Sequence, residues 1–172
     1  ESCSGTALSG APTNAGTYSV KAKVEATTNY ASATSECAKL TINAKTITYT
    51  ASATDKTYDG STSATCSITL SGVATGDSVS ATSTGTFADK NVGTDKTVTC
   101  SNVKLTGADA SNYTISSTST TTKADINKKS ITATVNINDK TYDGSINATG
   151  SVTLTGVVTG DTVSGSAGSC VF

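Results

Sequence analysis

Histidine, methionine, tryptophan, arginine and glutamine are all missing from these 172 residues, and proline occurs once. The missing histidine excludes most. It is the side chain that ordinarily exchanges protons near neutral pH, so acid–base catalysis lacks its usual agent. A serine, threonine or cysteine nucleophile would also lack an imidazole base. The expectation is therefore a protein that is not an enzyme, with no catalytic residue and no cofactor. Zinc is disfavoured too. The cysteines at 3, 37, 66, 100 and 170 form no CxxC pair, and no histidine can complete a ligand set.

Charge is scarce and balanced, with a formal net of −1. There is no basic stripe for a nucleic-acid backbone, so no nucleic-acid partner is expected. No apolar run is long enough to span a bilayer, so no membrane insertion is expected in this segment. Aromatic residues make up 5% of the chain. The core must therefore be thin, built from Val, Ile, Leu, Ala and threonine methyl groups. The chain opens "ESCSG", with neither Met nor a charged, apolar leader, which reads as a mature or excised piece of something longer.

Threonine, serine, alanine and glycine fill the space. A β-branched side chain suits a pleated surface and resists helix, so threonine richness points to strands. In a β-protein with a poor core, cysteines are read as disulfides, and disulfides imply an oxidising compartment, here extracellular or at the cell surface. Five is an odd number. One cysteine must be free, bonded to another chain, or paired outside this segment.

The strongest signal is repetition. "DKTYDGS" stands at 55–61 and again at 139–145, an offset of 84 residues. The match extends without a gap: "NAKTITYTASATDKTYDGSTSATCSITLSGVATGDSVS" (43–80) lies over "NKKSITATVNINDKTYDGSINATGSVTLTGVVTGDTVS" (127–164). Ile47, Tyr49 and Ala51 share one face of a strand, as do Ile131, Ala133 and Val135. Asp-Gly and Gly-Asp pairs supply the turns. A looser match joins 91–127 to 14–43: both open Asn-x-Gly-Thr and both carry Asn-Tyr, at 112–113 and 29–30. The chain thus reads as a second half (1–44), a complete module (45–127) and a first half (128–172). Half a sandwich cannot bury its own face, so the halves are expected to be completed by a neighbouring repeat or subunit, head to tail. A tandem array is favoured over separate subunits, because the 172-residue period joins seamlessly.

"KTYDG…SVTLTGVVTGDTVS" and "KTYDG…FADKNVGTDKTVT…LTGADASNYTI" closely resemble the YDG repeat of large bacterial surface proteins. "GTALSGAPTNAGTYSVKAKVEATTNYASAT" resembles the related MBG repeat. The resemblance implies tandem immunoglobulin-like β-sandwich modules in adhesin-like stalks, and no reaction. The cysteines stand outside that pattern and read as additions in this protein.

Each candidate site has a bland reading beside the functional one. Tyr58/Asp59 and Tyr142/Asp143 could form a ligand-binding edge, but a tyrosine over the sandwich end and an Asp-Gly turn account for them better. Asp59, Asp77, Asp143 and Asp161 could ligate calcium between modules, yet no stretch concentrates carboxylates at loop spacing. "NAGTYSV" (14–20) suggests a tyrosine corner, which is scaffold. Lys21, Lys23 and Asn29 are candidates for an internal isopeptide bond, if buried. "NAT" (147–149) and "NYT" (112–114) fit a glycosylation acceptor. Cys66 and Cys100 are expected to bond, closing a loop of 34 residues worth roughly 3–4 kcal/mol. Cys37 is expected to bond Cys3 or Cys170. The functional expectation is a disulfide-braced structural repeat of an extracellular bacterial filament or adhesin stalk, with a glycan- or protein-binding adhesion module as the alternative.

Overall fold

The computed structural model describes residue 3 and residues 8–166. The fold is all-β. In chain order the strands are β1 (Gly16–Val20), β2 (Lys23–Val24), β3 (Ala33–Thr34), β4 (Ala38–Ile42), β5 (Lys45–Ala53), β6 (Lys56–Thr57) and β7 (Ser63–Ala64). There follow β8 (Cys66–Ser71), β9 (Ser80–Phe87), β10 (Gly93–Thr106), β11 (Tyr113–Ile115), β12 (Thr120–Asn127), β13 (Thr132–Ile137) and β14 (Gly150–Thr155). A 3-10 turn at Ala110–Asn112 precedes β11. Among the described residues no helix is long and apolar enough to cross a membrane.

The strands arise where the sequence alternates. In β5, Ile47, Tyr49, Ala51 and Ala53 turn inward while the threonines and serine between them face solvent. Cys66, Ile68 and Leu70 do the same in β8. This period of two is the signature of a strand with one covered face. Strand β10 is long for its type and takes positive φ at Asp95 and Asn102, +50° and +54°. Short polar residues tolerate that left-handed region better than β-branched ones would.

Five strands form one sheet in the order β6-β12-β10-β9-β7, and three form another in the order β11-β5-β8. Two-stranded pairs complete the set: β1 with β4, β2 with β3, and β13 with β14. The β13–β14 pair is antiparallel, from Thr132 opposite Thr155 to Ile137 opposite Gly150. Parallel pairing joins Tyr113–Ile115 to Lys45–Ile47, and Ile126–Asn127 to Lys56–Thr57.

Spatially the chain divides into two units, and the division runs across residues 45–127 rather than around them. The first comprises the described residues up to Ala51, with Ser67–Thr84 and Ser101–Thr120. Ile47, Val103 and Tyr113 are its buried apolar residues. The second comprises Ser52–Cys66, Gly85–Cys100 and the described residues from Thr121 onward. It buries Phe87, Val98, Cys100, Ala124 and Ile126. Gly85 lets strands close up there: a Cβ at that position would lie 2.9 Å from Cys66 Sγ.

Candidate functional site

The repeated heptapeptide folds around its lysine. Lys56 Nζ donates to Asp59 Oδ1 at 2.7 Å, the Ser61 carbonyl at 2.9 Å, Ser61 Oγ at 3.1 Å and the Ser63 carbonyl at 3.1 Å. Lys140 Nζ does the same with Asp143 Oδ1 at 2.8 Å, the Ser145 carbonyl at 2.8 Å, Ser145 Oγ at 3.1 Å and the Asn147 carbonyl at 2.8 Å. An ammonium has three hydrogens and no acceptor, so a ring of oxygens satisfies it fully. The charge also draws loop carbonyls together that would otherwise point into water.

Each aspartate closes the loop a second way. Asp59 Oδ1 accepts from the Ser61 backbone N–H at 2.9 Å, and Asp143 Oδ1 accepts from that of Ser145 at 2.9 Å. The glycines between them, Gly60 and Gly144, have φ of +80° and +73°, a region open to glycine without steric cost. Lys56, helped by the Ser61 N–H, holds the Asp59 carboxyl down at about 2, against an ordinary 3.8. Lys140 lowers Asp143 in the same way. The first loop has an additional neighbour, since the Phe87 ring centroid lies 5.7 Å from Lys56 Nζ. Sequence reasoning named Tyr-Asp-Gly and missed the lysine. The signal was present, because Lys stands three residues before Asp in both copies, but that spacing suggests no side-chain pair in an extended segment.

The second repeated element is the Thr-Gly-Asp turn. Asp77 N–H donates to the Ala74 carbonyl at 3.2 Å, and Asp161 N–H to the Val158 carbonyl at 3.0 Å. Gly76 and Gly160 supply φ of +97° and +94°. Each aspartate then receives a tyrosine from far along the chain. Tyr113 donates its hydroxyl to Asp77 Oδ2 and accepts from the Ala74 N–H at 3.0 Å. Tyr58, from the first lysine loop, donates to Asp161 Oδ1 at 3.1 Å. Both phenols are raised above their ordinary value, chiefly because the hydrogen bond to a carboxylate favours the protonated form. Lys90 lies 4.0 Å from Asp161.

Cys66 bonds Cys100 with a Cα–Cα distance of 6.0 Å, and Cys3 bonds Cys37 at 5.9 Å. Cys170 lies outside the described residues. Tyr18 donates to the Asn14 carbonyl at 2.8 Å, a local tie of the tyrosine-corner kind. Lys21, Lys23 and Asn29 are all exposed, and Lys23 pairs with Glu25 at 2.7 Å, so the burial an isopeptide bond requires is lacking. The Asn112 amide is already engaged, accepting from Ala15 N–H at 2.7 Å and donating to Asn14 Oδ1 at 3.2 Å. Asn147 is exposed. Among the described residues no three acidic or sulfur ligands converge on a metal position. Asp59 and Asp143 are committed to lysines, Asp77 and Asp161 to tyrosines.

Comparison with known families places a YDG domain at residues 43–122, which include the first lysine loop, the first Thr-Gly-Asp turn and Tyr113. No curated protein and no solved structure matches the chain.

Proposed function

Starting from a chain that carries a YDG domain, we propose that it is a structural repeat unit of an extracellular bacterial filament or adhesin stalk, joined end to end and braced by disulfides. The observation that carries this reading is the bond from Tyr58 to Asp161. It ties the lysine loop of one repeat to the Thr-Gly-Asp turn of the next. A module whose loop clasps its successor is built for a series. The disulfides fit a location outside the reducing cytosol, where such bonds persist. The function is mechanical: the number of modules sets reach, and backbone ladders with covalent cross-links resist extension. The side chains with displaced pKa values hold a turn together or tie a turn to a distant tyrosine, and the proposed role is non-catalytic.

Imaging of the native material tests this. A filament with an axial repeat of one 172-residue period, its sequence traceable in the density, is the expected result. Dispersed particles with no axial repeat would overturn it. The exposed Tyr142 ring favours a second reading, an adhesion module that stacks a sugar against an aromatic face. Saturable, selective binding on a glycan array, lost in Tyr142→Ala, would establish that alternative.

A further inference from the structure

The chain contains its own template for an interface that it does not complete. In the central segment, Asp77 receives Tyr113 on one carboxylate oxygen, and Asp161 receives Tyr58 on one of its own. Among the described residues no tyrosine meets the other oxygen of either carboxylate. Two tyrosines stand at the repeat-related positions, and neither hydroxyl has a partner among the described residues. Tyr142, the counterpart of Tyr58, is 93% exposed, and Tyr30, the counterpart of Tyr113, is 76% exposed. Tyr142 nonetheless sits in a loop already set by the Lys140 ring, so its position is prepared before any partner arrives. Asn29 likewise corresponds to Asn112, whose amide receives the Ala15 N–H. The counterpart of Ala15 is Val92, which lies with Tyr58 and Asp161 around one shallow depression.

The apolar faces show the same asymmetry. Ile47 is 2% exposed, whereas Ile131, 84 residues on and in the same pattern, is 43% exposed. Val135 and Ile137 beyond it are exposed, and so are Val20, Val24 and Leu40 in the earlier segment. Each of these segments is built on two-stranded pairs, which leave backbone edges unmatched. The central segment shows what covers a first-half strand of this pattern: second-half residues of the kind found at 8–44.

We propose that residues 128–166 of one copy of this chain and residues 8–44 of a second copy close into one module of the same build as 45–127, with Tyr142 of the first donating to Asp77 of the second, and Tyr30 of the second donating to Asp161 of the first. Both bonds belong to a single head-to-tail joint. Each uses the oxygen that its aspartate leaves unmatched by tyrosine. The joint is heterologous, so repetition extends a line and does not stop at a dimer. The inference deepens the structural reading above and rests on it.

Sedimentation of the intact, oxidised chain provides the test. Wild type is expected to associate progressively with concentration. Ile131→Asp disables one surface and Val20→Asp the other, so each variant alone is expected to remain monomeric. Mixed, they should form dimers and nothing longer, because a single good pair of surfaces remains. Tyr142→Phe and Asp77→Asn should each weaken association about tenfold, the loss of one hydrogen bond to a charge. Combining them should weaken it no further. Thermal melting of each variant checks that the central segment is still folded. A wild-type chain that stays monomeric at millimolar concentration overturns the joint, and so does homodimerisation of either blocked variant. Association unaffected by Tyr142→Phe and Asp77→Asn also removes the joint while leaving the filament reading intact. That reading fails separately, if native material shows no axial repeat.

Discussion

The two copies of Asp-Lys-Thr-Tyr-Asp-Gly-Ser have identical sequences and nearly identical internal bonds, yet different surroundings. Both lysines are ringed by the same kinds of oxygen, both aspartates close on the serine two residues later, and both glycines take the left-handed region. Outside the loop the likeness ends. Around the first copy, Phe87 approaches Lys56 and Asp161 receives Tyr58. At the second, Tyr142 faces solvent and Ile131 is half-uncovered. The loop is thus a local device, complete in about seven residues, whereas its covering is a tertiary event. Duplicated sequence secures the first and cannot secure the second.

The largest effect should come from the Cys66–Cys100 brace of the first copy. Cys66 corresponds to Gly150 in the repeat, so the Cys66–Cys100 bond has no counterpart there. Replacing both cysteines by alanine is expected to cost roughly 3–4 kcal/mol of stability, by the loop-closure argument. Hydrogen exchange should show lost protection in β8 and β10, with β13 and β14 unchanged. Equal loss in both regions would break the comparison.

Next in size is the lysine. Lys56 keeps less of its side chain in water than Lys140 and has Phe87 beside it. Lys56→Met should therefore lower the thermal midpoint by roughly 5–10 °C, since it strands several loop acceptors at once. Lys140→Met should have a smaller effect. If the two variants melted alike, the surroundings would contribute nothing and the ring alone would set the energy.

Glycine replacement separates local from tertiary strain. At Gly144 an added Cβ meets nothing within 4 Å, so Gly144→Ala should cost only the backbone penalty, about 1 kcal/mol. At Gly60 the same carbon would lie 2.8 Å from Val158 Cγ1, so Gly60→Ala should cost more. Chemical denaturation of the two variants measures the difference directly.

The smallest effect is the acid response. Asp59 titrates at about 2 when folded and near 3.8 when free. Between those values the unfolded chain binds the extra proton, so the carboxylate's contribution is present above pH 4 and disappears as pH falls towards 2. Asp143 is lowered by the same cause and should follow. Carboxyl chemical shifts followed through an acid titration will read both. In Lys56→Met, Asp59 should return towards its ordinary value while Asp143 stays low.

Much of this architecture was legible along the chain. Alternation in "KTITYTASA" and "CSITLS" marked strands with one covered face, and Asp-Gly and Gly-Asp marked turns that the structure places where glycine takes positive φ. Those signals are local, because side-chain direction and backbone conformation are set within a few residues. The lysine ring was local as well but illegible, since it closes through backbone carbonyls that no residue code displays.

The amino-acid sequence by itself determined the β class, the loops and turns, and the repetition, all of which depend on interactions between residues close in the chain. Tertiary structure alone decided that Tyr113 reaches Asp77, that Tyr58 reaches Asp161, and that one isoleucine is buried while its repeat-mate is not. These outcomes depend on which distant strand lies alongside. Identical heptapeptides carry no information about that.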